Sequence, residues 1–270
     1  MRIVFFGTPD YVLPIVNELN KYHDVVGVVT QPPKPVGRNQ KTTYSEVDHW
    51  AHKRNIEKYF NFENLPQADL GVCAAFGKII PSSVINHFKF GILNIHPSLL
   101  PKYRGSSPIQ TAIANGDTET GITIIKMDDK MDHGPIVSQF KEEILPDDTF
   151  SSLRERLFKK SAQFLIDLIP NYTKGKINLK IQDESLATFT KMVKKEDGYV
   201  DLSDDPQLID RKLRAYSPWP GIWTQITLKQ TGQNKRLKIL EYKNEPVTVQ
   251  LEGKNPVSWQ QFKNAYNLNF

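Results

Sequence analysis

The chain has 270 residues, of which 39% are hydrophobic, 24% charged and 10% aromatic, an ordinary globular mixture sized for one large domain or two moderate ones. Its single cysteine, Cys73, excludes an intramolecular disulfide and any zinc site with two or more thiolates, and no apolar run reaches the roughly 20 residues of a membrane span. The net charge of +5 gathers late: residues 191–270 hold 13 Lys/Arg against 9 Asp/Glu, whereas residues 1–190 hold 22 against 21.

Arg2–Phe6 reads as a first strand, broken by Gly7 and Pro9 too soon for a signal peptide, so a cytoplasmic protein is expected. Val12, Ile15, Val16 and Leu19 then follow helical spacing. Val25–Thr30, Leu70–Ala75, Gly91–Ile95 and Gly121–Met127 are runs too apolar to have a wet face, as in strands covered on both sides in a parallel sheet. Helical patterns near 44–54, 81–87 and 107–115 intervene. Strands separated by single helices predict a doubly wound, mostly parallel α/β domain over roughly 1–185. Thr149–Ile169 reads as a long helix capped by Asp147 or Asp148, and 171–183 as polar loop and edge strand. Beyond a linker at 186–203, a helix at Gln207–Ala215 and short β-like runs at Trp223–Leu228, Leu237–Glu241 and Val247–Leu251 predict a small β-rich domain over 204–270.

Ligands in an open parallel sheet bind beyond the carboxyl ends of the strands. Neither GxGxxG nor GxxxxGK[ST] occurs, which argues against NAD and ATP. The second strand is followed by QPPKPVGRNQK, where Lys34, Arg38 and Lys41 fall within eight residues without an acid; this is a cationic binding loop or a plain solvated one. The fourth strand leads into the densest segment, Asn94 to Gly105. Asn94 and His96, two apart at a strand end, share a side. An amide donor beside an imidazole can stabilise an oxyanion and handle a proton. Asp132, after the fifth strand, could orient His96 and favour its protonated form. Each has a bland alternative: Asn94 capping a turn, Asp132 initiating one, His96 packed in the core. His49 and His52 sit three apart on a polar helix without a third ligand, and no metal site is expected.

The segment NIHPSLLPKYRG at 94–105, with the later Asp132-His133-Gly134, resembles the signature of the folate-dependent formyltransferases: Asn-x-His, SLLPxYRG and a distant Asp-x-Gly. MRIVFFGTPDY at the start, TQPPKPVGRNQK, KMVKKEDGYVDLS at 191–203, RAYSPWPGIWT at 214–224 and LEGKNPVSWQQF at 251–262 resemble the branch of that family acting on methionyl-tRNA. The resemblance covers nearly the whole chain. It implies a Rossmann-like formyltransferase domain and an OB-like C-terminal domain, abridged here between Trp223 and Leu251. It implies 10-formyltetrahydrofolate as co-substrate and initiator methionyl-tRNA as partner; a monomer without metal or membrane association is expected. Asn94, His96 and Asp132 take the catalytic roles. Phe76, Gly77, Ile79 and Ile80, with Ser98, Leu99, Leu100 and Pro101, are expected at the folate, the leucines and isoleucines lending apolar surface to the pterin. Lys34, Arg38 and Lys41 are expected to face tRNA. The alternative within the family is an N-formyltransferase acting on a nucleotide-linked amino sugar, a group that usually lacks the Pro-x-Gly-Arg loop. A catalytically silent RNA-binding module is opposed by the intact Asn94, His96 and Asp132.

Overall fold

The computed structural model describes residues 1–36, 40–228 and 232–266. Its elements begin with β1 (Arg2–Gly7), α1 (Leu13–Tyr22), β2 (Asp24–Val29), β3 (Lys34–Val36), β4 (Lys41–Thr43), α2 (Glu46–His52), β5 (Lys58–Tyr59), β6 (Leu70–Ala74), α3 (Ser82–Ile85) and β7 (Ile92–His96). They continue with β8 (Arg104–Gly105), α4 (Pro108–Asn115), β9 (Glu119–Lys126), β10 (Ile136–Glu143), α5 (Phe150–Thr173), β11 (Phe189–Thr190), α6 (Pro206–Tyr216), β12 (Ile222–Thr227), β13 (Asn234–Tyr242), β14 (Pro246–Leu251), β15 (Val257–Ser258) and α7 (Trp259–Tyr266).

Two compact units divide the chain. The first comprises Met1–Ser106, Thr120–Glu143 and Arg154–Thr190. It is built on a seven-stranded sheet in the order β10-β9-β7-β6-β1-β2-β5. The run from β7 to β5 is parallel. Four successive residues of β1, Ile3 to Phe6, are fully buried, as a strand covered on both faces demands. Phe6 meets Phe76 and Phe88 edge-on at 5.8 and 6.0 Å, within a core that includes Val4, Val29, Ile80, Val84 and Ile92. Full burial of each such side chain contributes roughly 1.5–3 kcal/mol.

One strand departs from the expected direction. The fifth apolar run, β9, is antiparallel to β7, with His96 opposite Thr123 and Asn94 opposite Ile125. A parallel neighbour needs a crossover that packs on the sheet, commonly a helix. The helix preceding β9 is α4, and it groups with the second unit instead. The cap of α5 also differs. Thr149 and Ser152 cap reciprocally, backbone N–H to side-chain oxygen at 3.0 and 3.2 Å, while Asp148 accepts from the Ser152 hydroxyl at 2.8 Å.

The second unit comprises Ser107–Glu119, Ile144–Leu153 and Lys191–Phe270. Its antiparallel sheet runs β12-β13-β14-β15. Burial alternates along β12, with Ile222, Thr224 and Ile226 inward, the period-2 pattern of a half-buried strand. Ile226, Leu237, Val249 and Leu251 pack with Trp259 and Phe262 of α7. A second cluster joins Ile222, Ile239 and Tyr242 to Val200 and to Ile209 of α6. The segment 186–203 is not uniform: Phe189 and Thr190 pair as β11 with β8 in the first unit.

Candidate active site

β7 delivers two polar side chains from a strand otherwise buried. Asn94 is half-buried and His96 is 4% exposed. Beyond the strand the chain turns tightly. The Ser98 hydroxyl donates to Lys102 O at 2.6 Å, and the Thr123 hydroxyl of β9 donates to Ser98 O at 2.6 Å. The Leu100 N–H in turn donates to Thr123 Oγ1 at 3.0 Å. This places the Tyr103 carbonyl 2.9 Å from His96 Nε2. A carbonyl only accepts, so Nε2 carries the hydrogen and donates it, and Nδ1 is the other ring nitrogen. Nδ1 faces Asp132 Oδ2 at 3.4 Å, within ion-pair distance.

Asp132 is the hub. Its Oδ1 accepts from Asn94 Nδ2 at 3.2 Å, and its Oδ2 accepts from the Gly105 N–H at 2.8 Å. Gly105 is required there: φ is +108°, and a Cβ would lie 2.3 Å from Thr190 O. Asp132 itself adopts φ +48°, a left-handed conformation uncommon outside glycine that aspartate adopts more readily than most residues. The negative charge reaches the end of β6, where burial first and Asp132 second push the Cys73 thiol up to about 12. A buried thiol so raised is no nucleophile near neutral pH.

Around the hub lie residues to which the sequence assigns no role. Arg104 is 2% exposed. Its Nε and Nη2 donate to Gln182 Oε1 at 3.1 and 2.8 Å, and its Nη1 and Nη2 donate to the Glu184 carboxylate at 2.9 and 2.6 Å. Hydrogen bonding from Arg104 is the main reason the Glu184 carboxyl sits below its ordinary range. His133 faces Asp128 through Nδ1 at 2.5 Å and Glu184 through Nε2 at 3.4 Å. Gln182 and Glu184 occupy or adjoin the polar stretch read as loop and edge strand. The only sequence signal was the Arg inside the YRG motif, because a buried guanidinium must be paired.

The residues expected at the folate divide. Phe76 and Ile80 are in the sheet core, and Leu100 is buried with Ile125 and Ile136, so these side chains are committed to packing. Ile79 is 83% exposed, and Leu99 is half-buried above Gly121. The 76–81 loop is anchored by its backbone: Thr8 and Gln31 side chains both donate to Phe76 O at 3.2 Å. Gly77, at φ +76°, leaves room for Gln31, whose Nε2 would lie 2.7 Å from a Cβ. The expected basic loop contains a short hairpin, β3 with β4, in which Lys34 pairs with Thr43 and Val36 with Lys41. That register puts Lys34 and Lys41 diagonally on one face, both exposed. Arg38 lies outside the described residues. A cavity of about 650 Å³ sits in the second unit beside Arg211 and Tyr242, and none of the expected site residues lines it.

A parallel sheet with an antiparallel margin carries an amide, an imidazole and a carboxylate joined at one point, groups of the kind that acyl transfer uses to stabilise an oxyanion and move a proton. The sequence pattern described as Formyl transferase matches residues 1–169, and that described as Formyl transferase, C-terminal domain, matches residues 192–246; the chain belongs to the formyl transferase family. A methionyl-tRNA formyltransferase from Thermotoga maritima is 42% identical over 232 residues, spanning 82% of this chain and 74% of that protein. One from Marinobacter nauticus is 40% identical over 237 residues, spanning 84% and 76%. Among solved structures, a 4-N formyltransferase from Francisella tularensis superposes with a TM-score of 0.68 at 19% identity, spanning 90% of this chain and 97% of that one. HypX from Aquifex aeolicus in complex with tetrahydrofolic acid gives 0.65 at 16% identity, spanning 98% of this chain and 47% of HypX. These two structures share the fold.

Proposed function

We propose that this chain transfers the formyl group of 10-formyltetrahydrofolate to the amino group of methionyl-tRNA, giving formylmethionyl-tRNA for translation initiation, as a cytoplasmic monomer. The observation that carries the site assignment is the convergence of Asn94 and His96 on the two oxygens of Asp132. The curated relatives at about 40% identity bear the activity in their names.

The donor set suits an acyl oxygen. The folate supplies the activated formyl carbon when bound. Asn94 has two amide hydrogens, and its contact with Asp132 Oδ1 occupies one. The second is the donor for the formyl oxygen as negative charge develops there. His96 Nδ1 accepts the proton that the attacking amine must shed, the transient imidazolium is balanced by Asp132 Oδ2 at 3.4 Å, and the proton is passed on to N10 as its bond to the formyl carbon breaks and tetrahydrofolate leaves. Both oxygens of Asp132 accept hydrogen bonds, from Asn94 and from Gly105, which holds the carboxylate in place beside His96. Ser98–Pro101 and the 76–81 loop contribute mainly backbone edges, with Ile79 and Leu99 as the apolar side chains not sealed in the core. Lys34, Arg38 and Lys41 present cationic charge to tRNA phosphates.

The deciding experiment measures transfer of labelled formyl from 10-formyltetrahydrofolate to methionyl-tRNA, with a nucleotide-linked amino sugar and glycinamide ribonucleotide offered in parallel. A kcat/KM at least about tenfold higher for methionyl-tRNA supports the reading, a margin of about 1.4 kcal/mol. Preferential formylation of the sugar amine sinks it.

A further inference from the structure

We propose that Gln182 is a positioning residue for formyl transfer: its amide clamps the Asp132–Gly134 turn and thereby aims the Asp132 carboxylate at Asn94 and His96. The proposal rests on the catalytic role given to Asp132 above.

The orientation of the Gln182 amide is dictated from behind. Arg104 approaches its Oε1 with two nitrogens, at 3.1 and 2.8 Å. A guanidinium has donors and no acceptor, so only the oxygen of the amide can face it. The amide NH2 must then point the other way. It meets two backbone carbonyls, Asp132 O and Gly134 O, each at 2.8 Å. Two hydrogens find two acceptors, and the group is fully used.

The turn so held is an unfavourable one. Asp132 sits at φ +48°, and Gly134 packs so close to Lys126 O that a Cβ would lie 1.9 Å from it. Such a conformation persists only where its surroundings over-determine it. Gln182 is 5% exposed and Arg104 2%, so water cannot readily replace either partner. The Arg104 charge is balanced by Glu184. Released from the amide, the Asp132 backbone would relax toward commoner dihedrals and swing the carboxylate away from His96. A misplacement of about 1 Å in such a constellation can cost on the order of 10²-fold in rate.

The test is a double-mutant cycle in the full-length protein between Gln182→Glu and Asp132→Asn, read as kcat and as KM for both substrates. Gln182→Glu keeps the acceptor for Arg104 and removes the hydrogens aimed at the turn. We expect kcat to fall roughly 10- to 100-fold with each KM within about twofold, the signature of an interaction felt at the reacting centre. In the Asp132→Asn background the same change should alter kcat by less than about twofold, because the clamp acts through the lost carboxylate. A merely structural role would subtract equally in both backgrounds, and that outcome overturns the proposal. So does near-wild-type kcat in Gln182→Glu alongside an impaired Asp132→Asn. Wild-type turnover in Asp132→Asn itself is the separate result that removes the site reading. If Gln182→Glu lacks a native thermal transition, Gln182→Asn, which keeps an amide one methylene short of the turn, is read in the same cycle by the same criteria.

Discussion

Asn94 and Asp132, 38 residues apart in sequence, are joined by a hydrogen bond of 3.2 Å from the amide to Oδ1. The carboxylate fixes the plane of the amide, so the direction of the remaining N–H is set before substrate arrives. Preorganised donors of this kind act without reorganisation at the moment of reaction. Asn94→Ala should lower kcat by about 10²–10³-fold and leave folate affinity within about twofold. Single-turnover formyl transfer and fluorescence titration with folate measure the two quantities. A kcat within a few-fold of wild type would remove Asn94 from this role.

His96 and Asp132 face each other across 3.4 Å and should behave as one unit. His96→Ala and Asp132→Ala are each expected to be at least as damaging as Asn94→Ala. The double variant should lose little beyond the worse single variant, since residues that act together are strongly non-additive. Losses that multiply would separate their roles.

Gly134 is held against backbone, not against a movable side chain: a Cβ would meet Lys126 O at 1.9 Å. Gly134→Ala should therefore destabilise the first unit by about 1–3 kcal/mol, the usual range for overpacking, and should also depress kcat through Asp132. Urea denaturation with unchanged slope, alongside kinetics, checks both. An unaffected midpoint would contradict the close approach.

Lys34 and Lys41 share one face of the β3–β4 hairpin. If both meet tRNA phosphates, each change to Ala should make the salt dependence of methionyl-tRNA binding shallower by about one unit, leaving folate binding untouched. Arg38→Ala should weaken methionyl-tRNA use about tenfold, equivalent to about 1.4 kcal/mol. Wild-type kcat/KM for methionyl-tRNA across a salt series in all three variants would return the advantage to a small-amine acceptor.

Glu184 supplies a pH test. Its carboxyl is held below the ordinary 4.5, chiefly by the hydrogen bond from Arg104. A depressed carboxyl pKa contributes stability above the unfolded value, and that contribution is lost as pH falls through the lower folded value. Wild type should therefore lose stability more steeply than Glu184→Gln on acidification below 4.5, in denaturation midpoints taken at stepped pH. Parallel acid profiles would mean that the Arg104 pair does not outlast solvent competition.

Strands β1, β2, β6 and β7 are legible because each carries an apolar run, and burial on both faces explains such runs; the parallel edge strand β5, only Lys58–Tyr59, carries none. Asn94 and His96 were legible for the same reason: two polar residues at the end of an apolar strand stand out. The sequence reading brings Asp132 beside Asn94 and His96, where the structure has it, but by an incomplete route. The sequence reading brought it there as the loop after another parallel strand, yet β9 runs antiparallel to β7. Apolar periodicity reports burial and is blind to direction, so it could not reveal this. The 127–135 loop begins beside Ile92, with the Met127 N–H on Ile92 O at 2.8 Å, and turns back to bring Asp132 level with Asn94. Gln182 and Glu184 were illegible because their role depends on contacts 78 and 80 residues distant, to Arg104. Nothing local distinguishes a glutamine with buried partners from one in a solvated loop. Among the apolar residues expected at the folate, sequence position does not distinguish Leu100, sealed in the core, from Ile79, open to solvent.

The bond between His96 Nε2 and the Tyr103 carbonyl has a mechanical consequence. An imidazole that works through Nε2 is a long lever, its active atom at the far rim of a ring hinged at Cβ. Here the rim is tethered and Nδ1, one atom from the hinge carbon, is left to work. Rocking about the side-chain torsions moves that atom through a much smaller arc. In the proposed transfer the proton acceptor is thus steadied by geometry at the cost of reach, so the incoming amine must be brought to the strand; the imidazole has little travel with which to meet it.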